Sequence, residues 1–138
     1  MFRQAVWAMA IAIAVHSPAA YACSCDQGLS AKFVEEQVPL IFKGEVVSSE
    51  LLAPGAVPEI YPQATRTVFK INEIMKGSPR STEVVYSHAQ GTMCGVDFAR
   101  KVGQVLVVAV QEKDGRFFAD YCTYMFVNLR EERKRPRR

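Results

Sequence analysis

The chain is poor in histidine, with two in 138 residues, His16 and His88. His16 sits in an N-terminal segment that reads as a removable leader. His88 is then left alone in an irregular connection with no nucleophile beside it. Ser–His or Cys–His hydrolysis therefore has little support, and a surface or hydrogen-bonding role suits His88 better. Long apolar runs are also missing. The longest, Ala5 to Val15, falls well short of the ~20 residues that span a bilayer. The four cysteines include no C-x2-C knuckle, which disfavours a structural zinc site. There is no internal repeat and no linker between domains. A strong charge of one sign is lacking too, since the whole chain is only +3.

What is present begins with the leader. Arg3 supplies a short positive segment, Ala5 to Val15 an apolar stretch, and Ala20-Tyr21-Ala22 a small-x-small cleavage site. Residues 1–22 read as a signal peptide, and its Ala-rich character points to bacterial export, to the periplasm or the medium. Two alternatives compete: a retained N-terminal anchor, and lipoprotein processing with an acyl chain on Cys23. The second fits poorly, because Ala20 and bulky Tyr21 stand where lipoprotein leaders carry Leu and a small residue. Cleavage after Ala22 leaves the 116 residues from Cys23 to Arg138, enough for one domain with one core.

The mature chain would carry 16 Lys and Arg against 14 Asp and Glu. Six of those bases and two of the acids fall in Arg130–Arg138. The body is thus slightly acidic, with a basic tail expected to be disordered. A nucleic-acid-binding face on the body is disfavoured. The tail reads as a solubilising end, with acidic lipid, polyanionic glycan or a partner as the other options.

All four cysteines, Cys23, Cys25, Cys94 and Cys122, lie after the leader. An even count in an exported chain reads as two disulfides. A Cys23–Cys25 bridge would close a strained ring, so both reach distant partners. Residues two apart in an extended chain face the same side. Cys23–Cys94 with Cys25–Cys122 and the crossed pairing both remain open on this ground. Each bridge would close roughly 70–100 residues and be worth roughly 4 kcal/mol in the chain-entropy model. Burial of the cysteines in such bridges argues against a thiol–disulfide enzyme.

Patterning predicts a short helix over Leu29–Gln37, with Leu29, Phe33 and Val34 on one face and Pro39 ending it. Leu40–Ser49 reads as a strand, and its interior Gly44 as a bulge. Leu51–Pro62, with Pro54, Gly55, Pro58 and Pro62, is a long loop. Strands follow at Thr65–Met75, Thr82–Ser87 and Gln104–Gln111, the last the most apolar, with a helical turn near Val96–Lys101. Lys113-Asp114-Gly115 carries a hairpin signal. Arg116–Cys122 is the returning strand and Thr123–Glu132 a closing helix. The expected fold is mainly β: a five-stranded OB-type Greek-key barrel with short flanking helices and two disulfides. A small sandwich is the alternative from pattern alone.

Taken in order, several segments resemble one family. These are Cys23-Ser24-Cys25 at the mature terminus, Ile41-Phe42-Lys43-Gly44-Glu45-Val46, and Phe69-Lys70-Ile71 through Lys76-Gly77. They continue with Met93-Cys94-Gly95-Val96, Val108-Ala109, Asp114-Gly115 and Tyr121-Cys122. Together they are similar to the netrin-like module, and most of all to the N-terminal domain of the tissue inhibitors of metalloproteinases. The resemblance spans nearly all of Cys23 to Phe126. It implies the OB-type barrel and the pairing Cys23–Cys94 with Cys25–Cys122. The chain departs from the animal inhibitors in lacking a third bridge, with Val34 near where its first cysteine falls, and in lacking their cysteine-rich C-terminal domain. The wider family includes modules that inhibit nothing, so a non-inhibitory protein-binding module is the alternative function.

The resemblance implies no catalytic residue and no resident cofactor in this chain. It implies a monomer whose partner is a zinc metalloprotease. The free α-amine and carbonyl oxygen of Cys23 would occupy the open position of the protease zinc in a five-membered chelate and displace the hydrolytic water. The α-amine, with an ordinary pKa of about 7.7–8.0, would lose a proton on binding. Ser24 would point to the specificity pocket. Cys25, Asp26 and Gln27 would extend along the cleft on one side, and Thr92 and Met93 on the other. The loop Leu51–Pro62 would add peripheral area.

Overall fold

A computed structural model describes Cys25, residues 31–89 and residues 95–137. The element order is α1 (Ala31–Gln37), β1 (Leu40–Leu51), β2 (Ala64–Lys76), β3 (Thr82–His88), a 3-10 turn (Phe98–Lys101), β4 (Val105–Lys113), β5 (Arg116–Phe118) and α2 (Tyr121–Lys134).

The strands close into a barrel in the order β1-β2-β3-β5-β4, which excludes the sandwich alternative. Long β1 pairs antiparallel with β2 along one side and with β4 along the other. Serving two partners requires β1 to coil. It does so through register shifts against β2, one of them between Lys43 and Gly44, where the bulge is expected. β2 and β3 are antiparallel. β4 and β5 form a hairpin turned by Asp114 (φ 52°) and Gly115 (φ 76°), the two positive angles that an Asp-Gly turn of this kind requires. Among the described residues the one parallel pairing is β3 with β5, at Val85–Phe117 and Tyr86–Phe118.

The barrel interior is filled from β1 to β4 by Leu40, Phe42, Val46, Phe69, Val85, Leu106, Val108 and Val110, with Val96, Phe98 and Ala119, and Phe117 of β5 packs against them half-buried. Phe42, Phe69 and Phe98 meet edge to face, at 5.5 and 5.2 Å between ring centres. Each such pair adds about 0.5–1.5 kcal/mol to the area it buries. Leu106 to Val110 are all buried, because both faces of β4 are covered. Leu106, Val108 and Val110 point into the barrel. Val107 and Ala109 meet Val34, Val38, Ile41 and Val127 beneath the two helices. This second layer corrects one expectation: Val34 is 2% exposed, whereas Phe33 is 47% exposed. The buried stripe of α1 runs through Val34 and on to Val38, not through Phe33.

Two further differences concern the C-terminal third. The returning strand stops at Phe118 and does not reach Cys122. Asp120 takes an extended conformation and its Oδ1 accepts from the Thr123 backbone N–H at 2.9 Å, so α2 starts at Tyr121 and Cys122 is helical. N-capping of this kind overrides the β propensity of the flanking aromatics. The helix then runs through Lys134, so residues 130–134 of the basic stretch are ordered. Arg130 pairs with Glu35 on α1, and Lys134 with Glu131 at 2.9 Å. Basic side chains are also favoured in the last turn of a helix.

Asn128 of α2 completes the open edge of β4. Its Oδ1 accepts from Val107 N–H at 3.2 Å, and its Nδ2 donates to Val107 O at 2.7 Å. The side chain thus does the work of a neighbouring strand. Replacing Asn128 by Leu leaves both Val107 groups unpaired. We expect a loss of about 1–3 kcal/mol in urea unfolding, with the denaturant slope unchanged.

Glu131 lies between two ammonium groups, Lys134 Nζ at 2.9 Å and Lys43 Nζ at 3.5 Å. Lys134 first, then Lys43, hold its carboxyl below the usual carboxylate range against the opposing effect of burial. A depressed folded-state pKa adds stability above the ordinary value and forfeits it as pH falls through the folded one. Glu131→Gln should therefore lower the melting temperature at neutral pH, with the difference vanishing on acidification. Melting both proteins from about pH 7 to about pH 3 checks this.

Candidate functional site

Cys25 is bonded to Cys122, 97 residues later, with 5.4 Å between their Cα atoms. This bridge is one of the two that the resemblance implies, and it suits an oxidising compartment. Cys122 occupies the first turn of α2, whose start is fixed three times over. The Asp120 side chain caps it, Thr123 Oγ1 donates to Asp120 O at 3.2 Å, and Ala119 N–H donates to Tyr86 O at 3.0 Å. Cys25 is thereby tied to the capped start of α2, beside β3.

β3 and β5 run parallel, so the end of β3 and the start of α2 emerge at the same end of the barrel. Ala89 follows β3 and donates its N–H to Gln63 O at 3.0 Å. The chain comes back at Gly95, against the same backbone it left. A Cβ at Gly95 would sit 2.5 Å from Ala89 O and nearer still to His88 O. Only glycine permits this approach. The connection 90–94 therefore leaves and re-enters at one narrow foot, and its re-entry adjoins Cys94. Val96 and Phe98 anchor the return in the core.

Of the predicted site residues, Cys25 and Cys122 are brought together. Cys23, Ser24, Asp26, Gln27, Thr92, Met93 and Cys94 lie outside the described residues, and so does the Cys23–Cys94 bridge. Among the described residues no group of His, Cys, Asp and Glu is arranged to hold a metal ion, and no helix is long and apolar enough to cross a membrane.

The loop after β1 is built, not loose. Leu52 N–H donates to Ala64 O at 2.9 Å, Ile60 N–H to Val57 O at 3.0 Å, and Gln63 Nε2 to Leu52 O at 2.7 Å. Val57, Ile60 and Ala64 form a small core of their own, packed on Leu52, Tyr86 and Phe118. The Tyr61–Pro62 peptide is cis, and Tyr61 projects outward, 81% exposed.

Between this loop, the end of β3 and the β4–β5 hairpin lies a groove of about 390 Å³. Its lining includes Glu59, Ile60, Tyr86, His88, Glu112, Lys113, Phe118 and Asp120. His88 Nδ1 is buried with no hydrogen-bond partner among the described residues. Sequence reasoning missed this groove. Tyr86 and Phe118 are outward-facing residues of two strands that pair in parallel across a long separation, and neither periodicity nor spacing reports such a pairing. A larger concavity of about 840 Å³ lies at the other end of β4 and α2. Its cations are mostly answered there, Lys43 by Glu73 and Glu131, and Lys134 by Glu131.

No protein-family model matches the chain, and no curated protein matches it.

The foot of the 90–94 connection gives a direct test. Gly95→Ala forces a methyl group into the His88 and Ala89 carbonyls, an overpacking expected to cost about 1–3 kcal/mol. Thermal unfolding should register the loss. Amide shifts should concentrate at His88, Ala89 and Val96 while β1 and β4 stay unchanged.

Proposed function

We propose that this protein is an exported inhibitor of zinc metalloproteases, similar in its mode to the tissue inhibitors of metalloproteinases. The observation that carries the reading is the Cys25–Cys122 bridge. It anchors the segment just after the proposed N-terminus to the capped start of α2, at the same barrel end as the foot of the 90–94 connection. Two stretches of an inhibitory ridge would thus be presented side by side. The strand order β1-β2-β3-β5-β4 with a parallel β3–β5 pair supports reading the barrel as OB-type, as the resemblance implies.

In the proposed mechanism the signal peptide is removed after Ala22, freeing the α-amine of Cys23. That nitrogen and the Cys23 carbonyl oxygen chelate the zinc of the protease. They take the coordination position of the water that attacks the peptide bond. The amine binds deprotonated, so association releases a proton. A second bridge, Cys23–Cys94, would fix the chelating residue itself. Anchoring both cysteines removes the ordering cost that a loose terminus pays on binding. Ser24 enters the specificity pocket with a small side chain and little apolar anchoring. Asp26 and Gln27 follow along the cleft, with Thr92 and Met93 opposite. Compartment follows from mechanism: only an exported chain meets a signal peptidase and an oxidant.

Intact mass and N-terminal sequencing come first, and should give a chain that begins at Cys23 with all four cysteines oxidised. That protein is then assayed against a panel of zinc metalloproteases beside a form carrying one extra alanine before Cys23. Inhibition should fall about 100-fold or more in the extended form, because several kcal/mol of metal coordination are lost. A partner bound equally by both forms would instead identify a non-inhibitory binding module. An acylated Cys23 would rule out the chelate.

A further inference from the structure

The groove near the Cys25–Cys122 anchor suits a cation with an apolar stem. Its floor is aromatic: the rings of Tyr86 and Phe118 lie 6.1 Å apart, tilted by 38°. Ile60 and Ala119 supply apolar wall. The rim carries the carboxylates of Glu59, Glu112 and Asp120 against the single ammonium of Lys113. Arg116 answers Glu59 from outside at 3.4 Å. Asp120 spends Oδ1 on the Thr123 N–H at the start of α2, which also offsets the partial positive charge of that helix end. Glu112 has no ion pair among the described residues and is exposed.

Each part matches one part of an arginine side chain. A guanidinium stacks on aromatic faces and pairs with carboxylates, and its aliphatic stem lies against apolar wall. A phosphate or carboxylate ligand would meet the unpaired Glu112 carboxylate on a rim with three acids and one ammonium. A purely apolar ligand would offer the Glu112 carboxylate no partner. Position names the source of the side chain. Asp120 of the groove is two residues from Cys122, and His88 borders the foot of the 90–94 connection. A protein docked at the Cys25–Cys122 anchor would therefore lie within reach of the groove. Tyr61, next to Glu59 and Ile60 and strongly exposed, extends the same face with the residue type enriched at interfaces.

We propose that this groove is a subsite for an arginine side chain of the protein that docks on the Cys25-anchored ridge. The identity of that protein as a metalloprotease rests on the inhibitor reading, but the chemistry of the groove does not. The test separates the two. Nα-acetyl-arginine amide and its uncharged analogue Nα-acetyl-norleucine amide are titrated into the isotope-labelled, disulfide-intact protein, and amide signals are followed by NMR. The arginine probe should shift Tyr86, Gln111, Phe118 and Ala119, and the norleucine probe should bind more weakly at the same place. Glu112→Gln, an exposed change that leaves the spectrum otherwise intact, should weaken the arginine probe about threefold, as expected for one solvent-exposed charge pair. Equal response to both probes, an unaltered response in Glu112→Gln, or no shift up to the solubility limit overturns the proposal. Failure of the inhibitor reading appears elsewhere: the arginine response persists while no protease in the panel is inhibited.

Discussion

The structure depends on a very short parallel pairing. β3 and β5 touch at only two register positions, Val85–Phe117 and Tyr86–Phe118, extended by the Ala119 N–H bond to Tyr86 O. Without it the sheet would be an open, antiparallel run of five strands, β3-β2-β1-β4-β5, with two exposed edges, which proteins rarely leave uncovered. With it the barrel closes around the Phe42–Phe69–Phe98 cluster. Parallel geometry also decides which segments meet at one end of the barrel. It sends the chain out of β3 and into α2 at the same end, which brings the foot of the 90–94 connection and the Cys122 anchor into one neighbourhood.

A pairing that small is not self-supporting, and the surroundings show what holds it. On its outer side Tyr86 and Phe118 pack against Val57, Ile60 and Ala64 of the loop after β1. On its inner side Val85 and Phe117 meet the main core. The Asp120 cap turns the chain directly into α2, and α2 then pays back onto β4 through Val127 and the Asn128 amide. The loop that looks like surface decoration in the sequence is therefore part of the closure. So is the helix. This is why the candidate site is rigid at its base although it lies where strands end and connections begin.

Much of this was legible from residue pattern. Four strands and both helices fall where alternation and helical spacing place them, because each has one face against a core and periodicity reports that directly. The Asp114-Gly115 turn and the Gly44 bulge were readable because each rests on local backbone chemistry. The errors share a cause. Arg116–Cys122 reads as one strand because Phe117, Phe118 and Tyr121 have β character, yet the Asp120 cap breaks it in two. Phe33 reads as core, yet the position of α1 against Ile41 and Val107 buries Val34 and Val38 instead. The groove under the β1–β2 loop was invisible altogether. In each case a non-local contact decided between local options that were nearly equal.

The cysteines show how local and non-local information combine at the candidate site. An even count of four cysteines suits two bridges, and a short Cys23–Cys25 ring would be strained. Neither fact chooses between the two long-range pairings. The observed Cys25–Cys122 bridge removes Cys122 from reach of Cys23. If the second pair forms, it must join Cys23 to Cys94, and the proposed zinc-binding residue is then bolted to the connection whose foot Gly95 pinches against β3. A terminus held in this way has little freedom left to lose on binding. The inhibitory reading therefore asks the barrel for one thing only, a fixed frame for two short backbone stretches, and the closure at β3 and β5 sets the two points, Cys122 and Gly95, from which such a frame would be held.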